Sequence, residues 1–181
     1  MTYAKLLCVL LLTLIAGCAS VDVSDYSDMS PKIDLTSFFA GDLTAHGVVK
    51  NRSGRVIRTF NADIKASWKD GVGVLDESFL FDDGERDTRI WTLRPSSESA
   101  FIGTAGDVVG DGKLSLAGNS VFLDYVLRIP YGDSSVDVRV DDRMYLVAPG
   151  VLINESQMTK LGVRVGSILL VILKTPLGNS H

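Results

Sequence analysis

The chain has 181 residues, of which 46% are hydrophobic and 22% charged, and a formal net charge of −4. That is enough apolar material for one cored domain and too much for a disordered chain, and the acidic balance argues against a face built for nucleic acid. Two histidines and two cysteines leave little for metal or nucleophile chemistry.

Residues 1–17 have the order of a processing signal. Lys5 supplies a positive start, and Leu6 to Ile15 form an apolar run broken only by Thr13. At roughly a dozen residues the run fits the hydrophobic region of a signal peptide and is short for a membrane span. It closes with Leu14-Ile15-Ala16-Gly17-Cys18, which resembles the bacterial lipobox. Cleavage before Cys18 and acylation of its thiol are therefore expected; an ordinary secretory signal with an incidental cysteine is the alternative. Acyl chains on Cys18 would bind a membrane firmly, at about 0.8 kcal/mol per buried methylene. Ala19 stands where an aspartate would retain such a protein at the inner membrane, so an outer-membrane lipoprotein facing the periplasm is expected. Cys8 would be lost with the signal, which leaves no disulfide. Residues 18–34, polar and without a period, read as the lipidated N-terminus and a flexible tether.

Residues 35–181 make up the folded domain. From Leu43 onward turn signals recur: Asn51-Arg52-Ser53-Gly54, Asp70-Gly71, Asp83-Gly84, Asp111-Gly112, Gly118-Asn119, Gly132-Asp133 and Pro149-Gly150. Alternating segments lie between them, best seen in Val56 to Trp68, where Phe60, Ala62, Ile64, Ala66 and Trp68 share one parity. Ile57 and Arg58 break the alternation. One short helix is expected at Asn154–Leu161, where Asn154 and Gln157 resemble a capping box and Gly162 a stop. Sequential hairpins with one apolar face predict an all-β, up-and-down antiparallel barrel of about eight to ten strands, since closure removes exposed edges. An open sandwich is the alternative. The apolar run Ile168 to Leu173 is expected to close the barrel.

Turn chemistry fixes the register. A three-residue loop with Gly84 in the left-handed position pairs Phe81 with Glu85, Glu77 with Arg89 and Leu75 with Trp91. A two-residue turn at Gly132-Asp133 pairs Ile129 with Val136, Tyr125 with Val140 and Leu123 with Asp142. Glu77, Arg89 and Asp142 then point inward, where an unpaired charge costs several kcal/mol. A structural Glu77–Arg89 ion pair, with Asp142 bonded to backbone or to Tyr125, is one reading. Contact with a ligand headgroup is the second, and acid–base catalysis the third.

These same segments carry a family resemblance. Phe39-Ala40-Gly41, Asn51 to Val56, Leu75-Asp76-Glu77-Ser78-Phe79, Asp82 to Glu85, Arg89-Ile90-Trp91, Asp107 to Gly110, Gly118-Asn119, Asp141 to Leu146 and Asn154 to Gly162 resemble a bacterial lipoprotein family known as domain of unknown function 3833. Arg143 departs from the pattern, which has tryptophan there. The resemblance implies a lipocalin-like barrel without an established activity, and its association with fatty-acid-modifying methyltransferases tilts the ligand toward acyl chains.

Asp107 to Gly112 looks like a calcium loop but lacks the ligand spacing and closing glutamate. Asp107 is instead expected as an acceptor at the barrel mouth. His46 has no serine or carboxylate at motif spacing, and no glycine pattern marks a nucleotide site. No cofactor or metal is expected. The leading expectation is a membrane-anchored barrel binding an acyl-chain or similar apolar ligand. Phe60, Phe79, Phe81, Trp91, Leu123, Tyr125, Leu127 and Met144 would line its cavity, and Glu77, Arg89 and Asp142 would fix a polar head. A filled barrel that works through its surface is the second expectation, and a lipid-modifying enzyme using Glu77 or Asp142 is the third.

Overall fold

A computed structural model describes residues 20–174. Ten strands follow one another as β1 (Gly41–Asn51), β2 (Val56–Lys69), β3 (Val72–Phe81), β4 (Arg86–Ser97), β5 (Ala100–Thr104), β6 (Gly112–Ala117), β7 (Ser120–Tyr131), β8 (Ser134–Ala148), β9 (Val151–Lys160) and β10 (Val163–Lys174). Each pairs antiparallel with the next, and β10 returns to β1, so the sheet is a closed barrel with no free edge. The ten strands of the ring and the helical turn that plugs it lie within the described residues. The signal segment and Cys18 lie outside them.

The turns impose the register that their residues demand. Gly84 has φ +86°, a conformation that costs an L-residue free energy, and its N–H donates to the Phe81 carbonyl while Phe81 N–H donates to Glu85. Glu77 consequently faces Arg89 and Leu75 faces Trp91. Gly132, at φ +56°, opens the β7–β8 turn, and Leu123 faces Asp142 across that pair. The broken alternation at Ile57 and Arg58 has a structural cause. Val49 pairs with Arg58 and Lys50 with Val56, so Ile57 is the extra residue of a bulge and is exposed.

One element departs from expectation. Asn154–Leu161 is not a helix, because Val151–Lys160 forms β9. Leu152, Asn154, Ser156 and Met158 alternate inward, all buried. Asn154 and Ser156 are polar, which masked the period of two. A helix there would also have left β8 and β10 without a shared partner.

A single helical turn, α1 (Leu35–Phe38), plugs one end of the barrel. Asp34 caps it by accepting the N–H groups of Thr36 and Ser37 at 3.0 and 3.2 Å. Leu35, Phe38 and Phe39 are buried against the core, and Trp68 Nε1 donates to the Phe39 carbonyl at 2.6 Å. The hairpin loops that follow β1, β3, β7 and β9 gather at the opposite end.

The stretch read as a flexible tether is docked in its later part. Val23–Tyr26 form a 3-10 turn capped by Asp22. Tyr26 packs on Phe122 and Tyr145 with ring centroids 5.7 and 5.4 Å away, and Ile33 N–H donates to the Gly118 carbonyl at 2.8 Å. Three aromatic rings give this polar segment the apolar contact that its own composition lacks.

Candidate functional site

Inside the barrel lies a cavity of about 140 Å³. Its walls are mostly apolar, with Phe60, Phe79, Trp91, Leu123, Met144 and Leu170 among them, and Leu35 and Phe39 close it at the plugged end. Glu77, Arg89, Tyr125, Asp142, Asn154 and Ser156 put polar groups into the same space. Strand parity brings them there: Glu77 from β3, Arg89 from β4, Tyr125 from β7, Asp142 from β8, Asn154 and Ser156 from β9. Trp91 and Tyr125 meet edge to face at 5.3 Å, which fixes both rings.

Arg89 is not paired where its register neighbour would put it. Its Nε donates to Asp107 Oδ1 and Oδ2 at 3.1 and 3.0 Å, and Nη2 donates to Oδ2 at 2.6 Å. Asp107 sits in the β5–β6 connection, which is stitched to β7. Arg128 N–H donates to the Asp107 carbonyl and Val109 N–H to the Val126 carbonyl, both at 2.8 Å. The expected Glu77–Arg89 ion pair is thus replaced by a two-oxygen grip from a loop, a geometry that suits the flat guanidinium.

Glu77 and Asp142 face the cavity without that compensation. Burial raises the Glu77 carboxyl to about 7; Arg89 pulls it down, while Asp107, Asp142 and Asp76 push it further up. Part of Glu77 remains accessible because it borders the cavity, although protein surrounds it closely. Asp142 is only 7% exposed, and burial raises it to about 6 against the opposing pull of Ser156, Arg89 and Asn154. Its Oδ1 makes no hydrogen bond, and neither does Asn154 Nδ2. Asp142 Oδ1 thus makes neither the backbone bond nor the Tyr125 bond of the structural reading. Burial also lifts the Tyr125 phenol well above 10, so it stays a neutral donor.

Six of the expected wall residues line the cavity, and two do not. Phe81 lies beyond Phe79, stacked on it at 6.2 Å and covered by the Arg58 guanidinium at 3.5 Å. Leu127 packs on the core outside the cavity wall. Asp107 is the partner of Arg89 rather than a wall residue. The sequence does not mark Asn154 and Ser156 as cavity residues, because their segment has the capping pattern of a helix. The inward alternation with Leu152 and Met158 was the signal available. His46 is outside, with Nδ1 2.6 Å from Asn61 Oδ1. Among the described residues, no group of three or more His, Cys, Asp or Glu is placed to hold a metal ion.

A closed, lipocalin-like antiparallel barrel with an apolar cavity and a polar cluster on its wall is the class that fold and site define. The chain belongs to the family of proteins of unknown function DUF3833, which it matches over residues 12–174. Among solved structures it is similar to the S-type phycobiliprotein lyase CPES from Guillardia theta, at 11% identity and a TM-score of 0.59, over 79% of this chain and 92% of that one. It is also similar to Rv2717c from M. tuberculosis, at 14% identity and a TM-score of 0.55, over 82% of this chain and 99% of that one. At these identities the likeness is one of fold. No curated protein matches the chain by sequence.

Proposed function

We propose that the protein is a membrane-anchored periplasmic lipoprotein that binds or shuttles an acyl-chain or similar apolar ligand in its barrel. The supporting observation is the cavity: apolar walls for a tail, with Glu77, Arg89, Tyr125 and Asp142 among them for a head. Its volume of about 140 Å³ is close to that of an engineered cavity that stays dry and holds benzene, so it suits the end of a chain or one ring. The anchor is Cys18, acylated after removal of the signal, and Ala19 directs the protein to the outer membrane. Similarity to a phycobiliprotein lyase accords with a barrel that accommodates a ligand.

Native mass spectrometry tests the reading directly. The domain from Ser20 onward, purified without detergent, is expected to carry a stoichiometric acyl-bearing adduct that organic extraction releases. An empty protein that also rejects a panel of fatty acids, fatty alcohols and phospholipids would overturn it.

A further inference from the structure

The cavity region contains one guanidinium and three carboxyl groups, and the guanidinium is already engaged. Asp107 takes both Arg89 Nε and Nη2, with its closest contact at 2.6 Å. Among the described residues neither Glu77 nor Asp142, which face the same space from β3 and β8, makes a salt bridge, and Arg89 acts on both only from beyond contact. Asp142 is more than nine-tenths buried, and its Oδ1 has no partner. The other groups around Glu77 do not alter the sign. Asp76 is its neighbour on β3, Tyr125 stands on β7, and Ile64 is opposite on β2.

Resting on the binding reading above, we propose that this cavity selects apolar ligands whose head donates hydrogen bonds and carries no negative charge, an alcohol or an amine. A free carboxylate is excluded. Its charge would enter an apolar space beside two acidic side chains, with Arg89 already neutralised by Asp107. A hydroxyl or ammonium instead donates to Glu77 or to Asp142 Oδ1, satisfying an acceptor that otherwise has none. The tail lies against Phe79, Trp91 and Leu123. Elevation of the Glu77 and Asp142 carboxyls adds a pH dependence. Below their titration the acidic side chains are neutral and the bar to a carboxylic acid falls.

A matched six-carbon series provides the test: hexanol, hexylamine and hexanoate, titrated at pH 8 into the domain from Ser20 onward and read by NMR at the Trp91 and Tyr125 side chains. Hexanol and hexylamine are expected to bind at least about tenfold more tightly than hexanoate. In Glu77→Gln/Asp142→Asn that preference collapses to about threefold or less; if the double variant does not fold, Glu77→Gln alone is used and narrows the gap. Hexanoate binding the wild type as tightly as hexanol at pH 8 would overturn the head-group selection and leave the binding reading standing. If none of the three perturbs the cavity resonances, both fall.

Discussion

A carboxyl group that must ionise inside a barrel weakens the barrel, and Glu77 makes that cost measurable. Its native value of about 7 lies above the ordinary 4.5, so the folded state holds a proton that the unfolded chain has released. Stability linked to Glu77 is therefore complete below about pH 4.5 and is lost as pH rises to about 7. Asp142 adds a similar loss between 3.8 and about 6. Glu77→Gln should remove the upper part of this slope. At pH 8 the variant should be more stable by about 2 kcal/mol, less than the full shift because Glu77 is partly exposed, and near equal at pH 4. Urea unfolding from pH 4 to 8.5 checks this; a wild-type stability that does not fall over that range would refute the assignment. The inward parity of Glu77, Arg89 and Asp142 was legible from two turns. The Arg89 partner was not, because Asp107 sits in an irregular connection where parity has no meaning and only tertiary packing decides direction.

At the level of elements, a small residue sets how the N-terminal segment meets the barrel. Gly118 has φ +53°, and a Cβ there would collide with the Tyr26 carbonyl oxygen and approach the Met29 carbonyl at 3.1 Å. Those contacts are backbone and cannot rotate away. Gly118→Ala should lift the segment off Phe122 and Tyr145 while the ten strands persist. Chymotryptic cleavage after Tyr26 should accelerate at least about tenfold with an unchanged far-ultraviolet spectrum, since cleavage reports the undocked population. Unaltered cleavage would show that the segment is not held there. Composition gave no hint of this docking: the stretch is short, polar and aperiodic, and one tyrosine carries the contact. The strands were legible wherever glycine turns bounded an apolar alternation, as in β3–β4 and β7–β8. β9 was missed for the opposite reason. Two of its four inward residues are polar because they line the cavity, so the feature that matters for the site is the feature that obscured the strand.

For the whole molecule, closure joins the first strand to the last. β1 and β10 pair from Leu43 with Lys174 to Asn51 with Gly166, and β10 also carries β9. An antiparallel meander reaches this state only after its most distant strands meet, which makes the last hairpin essential rather than additive. The requirement could be argued from sequence, since hairpins with one apolar face need closure to hide their edges, and Ile168 to Leu173 offered the strand. Opening the ring exposes the backbone of both β1 and β9 and lets water into the core beside Leu43 and Leu152, two of its most buried residues. A chain ending at Lys160 should therefore lose far more than β10's own contacts. It should elute as aggregate on gel filtration, bind a hydrophobic dye and unfold without a cooperative transition. A monomeric truncated chain with a sharp urea transition would mean that the nine remaining strands close by themselves and that the β1–β10 seam is dispensable.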